Sequence, residues 1–499
     1  MDRLNFGRIT AETIAQAKAL MADSVKTITT ATGLTGYSLE APAKKLYPVL
    51  TPLRNRINRD TARAMGATAT NWKQITGINT ANLKVGVAFG TRNSEISYAT
   101  GTRVATFKSY GLDDSVQDEA IWMGRNFEDV RAFSALATLQ AMMIGEEDLI
   151  LGGMDSSSGA AFGTTGLGTP GTPTNTAGTG GSITAGTYYV SCLALPYYGA
   201  RFSSVGVGVD AAHSAASPNS ASSVTSAGTQ SLSGTVAPVA GAHAYAWFVG
   251  GTAATGQTLA AITFINSYKI TSIPGTQTLA TAGTADASGR SVDFDGLLAQ
   301  VWGGTSLTSV QALTNGTLYT SANSAPIIVM NTGTAGTGTG LTADNAGGIA
   351  EFDALLQYLW DNVRLGPQRV LVSGQDVANI TKKIAASTGL VYRIGLQDGD
   401  TNLVGGVKVR AYLNKFTGDE ILIETHPTVP KGTIIFETDL VPYPNSQVPN
   451  VLEMEVLQEY ALFEWARTQR NYPHGVYANA VLKHYFPAAF GMIVNVANA

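Results

Sequence analysis

The side chains in this chain that could do chemistry are few and scattered. Its five histidines stand far apart, with His426 and His484 beside strand-like residues, and no His-x-x-x-His spacing puts two on one helical face. There is no lysine-bearing phosphate loop and no Gly-x-Ser-x-Gly turn. The single Cys192 excludes an intrachain disulfide and a cysteine-based metal cluster. Gly336-Thr-Gly-Thr-Gly340 follows a strand candidate, Pro326 to Met330, but all of 331–347 separates that strand from the next helix near Gly348. A dinucleotide turn passes directly from strand to helix. Asp398-Gly399-Asp400 lacks further ligands at cation-binding spacing and reads as a turn. The pattern predicts no catalytic residue, no metal and no cofactor, with each histidine structural.

Composition narrows the function classes further. Hydrophobic residues make up 44% of the 499 positions, enough for real cores and roughly two to four domains. Charged residues are only 14% and the net charge is -4, so bulk electrostatics exert no strong pull toward nucleic acid or an anionic membrane. Any such contact must be local. The N-terminus has no signal-peptide core and no run approaches the ~18 apolar residues of a spanning helix. The expectation is a protein made and kept inside a cell, or in a particle assembled there.

The element that must organise the rest is a long helix, predicted from Asp113-Asp114-Ser115 to about Ile144. Val116, Ala120, Met123, Phe127, Val130, Ala137 and Ala141 recur at spacings of four and three, with Ser134 in the gap. Asp114 and Gln117 suit its start, and Gly145, then Gly152-Gly153, its stop. Before it, Thr10 to Ile28 reads as an amphipathic helix (Ile14, Met21, Val25, Ile28). Ala41 to Arg59 reads as an extended basic arm, because three prolines interrupt it and its five basic residues meet no acid before Asp60. Residues 67–110 have β composition, with hairpin legs at Thr68 to Ile75 and Ser97 to Phe107. Such a hairpin needs another surface to lie on.

After the helix, charge almost vanishes between Ser156 and Gly289. Strand candidates at Gly186 to Leu195, Ala242 to Gly250 and Ala261 to Ile270 predict a small sandwich of immunoglobulin or fibronectin type. Helices are predicted at Phe294 to Trp302, Phe352 to Trp360 and Gln375 to Ser387. Strands are predicted at Arg369 to Ser373, Val407 to Leu413, Glu420 to Thr425 and Thr433 to Phe436. Leu452, Met454, Val456, Tyr460 and Leu462 alternate with glutamates in the strongest strand signal of the chain. A strand at Val481 to Tyr485 precedes an apolar tail.

This order resembles the major capsid protein of tailed bacteriophages. The residues carrying the resemblance are the arm Ala41-Pro-Ala-Lys-Lys-Leu-Tyr-Pro-Val-Leu-Thr-Pro-Leu-Arg-Asn-Arg56, the spine helix, Phe294-Asp-Gly-Leu-Leu298 and Asn345-Ala-Gly-Gly-Ile-Ala-Glu-Phe-Asp353. The fold class implied is α+β: an N-terminal arm (1–66), an extended β-hairpin loop (67–110), the spine helix of a peripheral domain (111–155), an inserted immunoglobulin-like sandwich (156–289), an axial α/β domain (290–438) and returning peripheral strands with the tail (439–499). With little chain before the arm, the expectation is that scaffolding comes from a separate protein or from the short helix at Thr10, and not from a long N-terminal domain. No Lys–Asn cross-link is assigned among Lys73, Lys84, Asn445 and Asn450.

The resemblance implies a non-enzymatic structural protein that self-assembles as hexamers and pentamers into an icosahedral head around double-stranded DNA. Its partners would be further copies, DNA held by non-specific and salt-sensitive contact, a portal, and separate scaffolding or decoration proteins. No membrane is involved, and the place is the virion, assembled in the host cytoplasm. Expected contact residues are Lys44, Lys45, Arg54, Arg56 and Arg59 of the arm and Trp72 and Phe107 of the loop, with Val116, Met123, Phe127 and Val130 packing the spine. The spine stripe is expected to face Leu452 to Leu462, and the sandwich to hang off the body so that its removal spares assembly. The rivals are an encapsulin-like shell enclosing protein cargo, a surface adhesive or carbohydrate-binding protein acting through the sandwich, and an enzyme with an unrecognised site.

Overall fold

A computed structural model describes residues 50–61, 68–77, 85–93, 95, 99–124, 129–224, 229–253, 256–274, 277–385, 409–441, 448 and 450–498. The chain enters through α1 (Pro52–Arg56) and β1 (Asn58–Thr61), followed by β2 (Ala69–Ile75), β3 (Thr100–Thr106), β4 (Lys108–Gln117), α2 (Asp118–Gly124) and α3 (Val130–Gly152). The 156–289 region holds β5 (Thr176–Ile183), β6 (Gly186–Leu195), α4 (Tyr197–Phe202), β7 (Ser220–Val224), β8 (Gln230–Thr235), β9 (Ala244–Gly250), β10 (Thr258–Thr263), β11 (Ser267–Ile270) and α5 (Leu279–Ala282). Next come α6 (Leu297–Trp302), β12 (Leu307–Ala312), β13 (Gly316–Ser321), β14 (Pro326–Met330), α7 (Ala350–Val363), β15 (Arg369–Val372) and α8 (Gly374–Ala385). The chain closes with β16 (Ala411–Leu413), β17 (Glu420–Thr425), β18 (Ile434–Glu437), β19 (Leu452–Glu464), β20 (Asn471–His484) and β21 (Gly491–Val494).

The long helix begins later and ends later than its apolar spacing predicts. Residues 108–117 form a strand paired with β20, so Val116 is buried on a sheet and not on a helix. Met123, on the short α2, is exposed. Asp129 caps α3 by accepting the Arg131 and Ala132 amides at 3.1 and 3.2 Å, while Asp114 is taken up by Ser115 and Ser134. Gly145 does not stop the helix, which runs to Gly152. Before residues 146–152, which are all buried, its buried face is Ser134, Thr138 and Met142, spaced by four, which shares only Ser134 with the predicted stripe. Met142 packs on Val476 and Ala478 of β20. Small polar residues lie flat against the sheet, so little hydrophobic periodicity marks this face.

Four sheets carry the body and the 156–289 module, beside the two-stranded β2–β3 hairpin. β1-β19-β20-β4 joins strands from both ends of the chain, with β1 parallel to β19 and the rest antiparallel. An eight-stranded mixed sheet runs β12-β13-β14-β21-β18-β15-β17-β16. The apolar tail is therefore a strand, β21, parallel to β14 and antiparallel to β18 in the middle of this sheet. α7 lies across it, with Phe352 edge-on to Phe436 at 5.0 Å. The hairpin β2–β3 pairs Ala69 with Thr106 through Ile75 with Thr100.

The module has two antiparallel sheets, β10-β9-β6-β7 and β11-β8-β5, with Trp247 of one meeting Tyr268 of the other at 4.4 Å. The predicted strand Ala261 to Ile270 is two strands, one in each sheet, joined through Phe264-Ile265-Asn266. The module does not hang free: its Val190, Tyr197, Trp247 and Tyr268 share one continuous core with Leu149, Phe294, Trp302 and Val494 of the body. Polar bonds reinforce that seam. The Asn266 amide donates to Asn495 Oδ1 at 2.8 Å, and Asn266 Nδ2 to Thr332 Oγ1 at 2.9 Å.

Candidate functional site

Three consecutive acids near the end of α3, Glu146, Glu147 and Asp148, are all buried. Successive helical residues point about 100° apart, so each meets a different part of the chain. Glu146 accepts from Arg54 Nε at 2.6 Å, Arg59 Nη2 at 2.5 Å, the Tyr110 hydroxyl at 2.6 Å and the Tyr460 hydroxyl. One carboxylate thus joins α1, β1, β4 and β19. Both guanidinium carbons lie 5.2 Å from the centre of the Tyr460 ring, which shields the pairs from water. Burial, then the neighbouring Glu146 charge, pushes both tyrosine hydroxyls far up, so they remain donors.

Glu147 faces the arm and the loop after β17. It accepts the Leu53 and Arg54 amides at 3.0 and 2.7 Å, satisfying the first turn of α1. His426 Nε2 lies 2.7 Å away. The Thr428 amide donates to His426 Nδ1 at 3.3 Å, so Nε2 carries the proton given to Glu147. Asp148 reaches the module, accepting from the Tyr197 hydroxyl at 2.7 Å and Arg201 Nε at 3.0 Å. Gly152 lies under the Tyr197 ring, where a Cβ would overlap it. Every carboxylate of the triad is hydrogen-bonded, so the triad ties α3 to the arm, the sheet and the module.

The arm reading needs correction at α1. Its prolines do not exclude a helix, because Pro52 takes the first helical position, where a missing N–H costs nothing. Nor do its cations lack acids: Arg54 and Arg59 pair with Glu146, and Arg56 with Glu424 and, at 2.5 Å, Glu437. All these acids are distant in sequence. Lys44, Lys45 and Phe127 lie outside the described residues, as does the predicted helix from Thr10. Trp72 Nε1 donates to the His484 carbonyl at 3.2 Å, and Phe107 packs against the main core, so both are engaged within the chain. Val130 is half-buried in the first turn of α3.

The structure brings together two outward-facing groups that the sequence reading did not single out. At the hairpin end, Val85, Val87 and Phe89 are exposed, Phe89 completely. On the face of the β1-β19-β20-β4 sheet away from α3, Phe463, Trp465 and Tyr477 cluster with ring centres 6.0–6.1 Å apart. Asp113 accepts from Tyr477 at 2.9 Å beneath them. The signal for the second group was available: Phe463, Trp465 and Tyr477 stand on the opposite parity from Leu462, Val476 and Ala478. No group of three or more His, Cys, Asp or Glu among the described residues is placed to hold a metal ion, and no described helix is long and apolar enough to cross a membrane.

No family model matches the chain, and no curated protein matches it. Among solved structures it is similar to an encapsulin complex from Synechococcus elongatus, at 10% identity over 92% of this chain and 93% of that one, with a TM-score of 0.38. It is also similar to the capsid of a native GTA particle (6% identity, 91% and 94%, TM-score 0.41) and to the capsid of cyanophage A-1(L) (10% identity, 94% and 99%, TM-score 0.40).

Proposed function

We propose that this chain is a non-enzymatic shell subunit that self-assembles, as hexamers and pentamers, into an icosahedral head of tailed-phage type around double-stranded DNA. The observation carrying this reading is a division of labour in the molecule. Arg54 and Arg59 are spent on Glu146, Arg56 on Glu424 and Glu437, and Asp148 on Arg201, all within the chain, while the hairpin end and the aromatic sheet face turn apolar side chains outward. A lone subunit in water gains nothing from such surfaces, whereas a closed assembly buries them. The element order supports the same reading: arm, hairpin, spine helix α3, a sheet closed by both chain ends as the peripheral domain, and the eight-stranded sheet as the axial domain. The seven-stranded module, with Trp247 against Tyr268, is the inserted immunoglobulin-like sandwich in this scheme.

Genome contact rests on cations other than Arg54, Arg56 and Arg59, which are already paired. Such contact is salt-sensitive and blind to sequence. The portal, separate scaffolding or decoration proteins and assembly in the host cytoplasm belong to the same proposal. Electron microscopy of the expressed protein with its co-expressed phage partners tests it: closed shells containing nucleic acid are expected. Shells holding protein and no nucleic acid would transfer the chain to the encapsulin-like reading. A protein that stays monomeric under these conditions would remove the shell reading altogether.

A further inference from the structure

The seam between the 156–289 module and the eight-stranded sheet encloses a cavity of about 100 Å3. Pro238, Val239, Leu307 and Tyr319, all partly exposed, form its mouth, while the buried His243 and Trp302 lie deeper. None of its lining side chains is Asp, Glu, Lys or Arg. Burial pushes the His243 imidazole down to about 4, so this group too is neutral near pH 7. Its Nδ1 shares a hydrogen bond with Thr433 Oγ1 at 3.1 Å, and its ring stands edge-on to Trp302 at 6.4 Å. Trp302 is 2% exposed, and its Nε1–H has no hydrogen-bond partner within the protein. An indole nitrogen can only donate, and a buried donor is normally paired.

Size, neutrality and one unmatched donor together define an occupant. An apolar cavity of about 150 Å3 takes benzene, so this one, at about 100 Å3, admits a molecule of about four non-hydrogen atoms. We propose that the seam cavity binds a small uncharged molecule, an apolar ring or branched chain with a single acceptor oxygen, which takes the Trp302 N–H and packs between Tyr245, Phe264 and Val494. Because its walls come from both module and body, a bound molecule stabilises their junction.

Acetone, isobutane and acetate, each of four non-hydrogen atoms, test the site on the full-length protein labelled with 5-fluorotryptophan. The Trp302 resonance is identified by its loss in Trp302→Phe. Acetone is expected to shift that resonance and raise the unfolding midpoint with a saturable dose response, isobutane to act more weakly, and the carboxylate to do nothing. Trp302→Phe should weaken acetone binding about fivefold, to the level of the hydrocarbon. Leu307→Trp at the mouth should block both probes, and it tests the site even if Trp302→Phe does not fold. The idea fails if no probe moves the resonance, which leaves water as the occupant. Equal binding of the carboxylate, or an undiminished response in Leu307→Trp, also overturns it.

Discussion

The two faces of the β1-β19-β20-β4 sheet use the same kinds of residue to opposite ends. Toward α3, Tyr110 and Tyr460 donate to Glu146 between two arginines, out of water. On the other face, Tyr477 donates to Asp113 beside Phe463 and Trp465, in the open. A tyrosine–carboxylate bond is common to both. Burial decides what it is worth: in a low-dielectric setting each polar partner becomes indispensable, while at the surface water replaces it. The inner face therefore holds the folded chain together, and the outer face is free to meet something else.

The largest effect is expected from Glu146→Ala, which leaves the half-buried Arg54 and Arg59 without their carboxylate. Loss of a buried ion-pair partner costs about 3–5 kcal/mol, read from chemical denaturation. A change below about 1 kcal/mol would mean that the inner face is held by packing alone. Tyr197→Phe should cost less, about 1–3 kcal/mol, because Asp148 keeps Arg201 after losing the hydroxyl. A loss of that size in one cooperative transition also tests whether the module unfolds together with the body; two separate transitions would restore the free-hanging module.

His484 gives a smaller effect, visible in its pH dependence. Burial pushes this imidazole down to about 3, and it packs on Phe490 with neither ring nitrogen bonded to protein. Below pH 6.5 the unfolded chain takes up a proton there that the folded chain refuses, so stability falls as pH drops from 6.5 toward 3. Asp293, Asp295 and Asp376, each pushed up to about 6 by burial, work in the opposite direction as pH falls from 6 toward 3.8. The difference between wild type and His484→Phe isolates the histidine. The variant should lack a slope of up to about 1.4 kcal/mol per pH unit, and parallel curves would disprove the assignment. Smallest in stability is Phe89→Ser at the hairpin end, within about 0.5 kcal/mol of wild type. If the outer apolar surfaces drive association, the same variant should reduce assembly in sedimentation velocity. Unchanged assembly would detach the hairpin end from that role.

Strand content was legible wherever a strand has one wet and one dry face, or is apolar throughout. Leu452 to Leu462 and Glu420 to Thr425 alternate, and Gly186 to Leu195 is rich in aromatic and branched residues; all three are strands. The helix was misplaced because Val116 to Phe127 happen to repeat at helical spacing, while 108–117 is held as a strand by β20, more than three hundred residues away. The pairing partner overrode the local period. The acid triad was invisible for a related reason. Glu146-Glu147-Asp148 after a glycine has the composition of a solvent-facing helix end, and only their distant partners make burial tolerable: arginines for Glu146 and Asp148, backbone amides and His426 for Glu147.

The sequence by itself determined the hairpin ahead of a long helix, the alternating strands and the low-charge stretch, because these depend on neighbours a few residues apart. Only the tertiary structure decided that the arm's arginines turn inward, that the tail becomes the central strand β21, that the module shares the main core, and which aromatic residues remain outside. Each of those outcomes depends on which distant segments exclude water from one another, and that is a property of the folded chain as a whole.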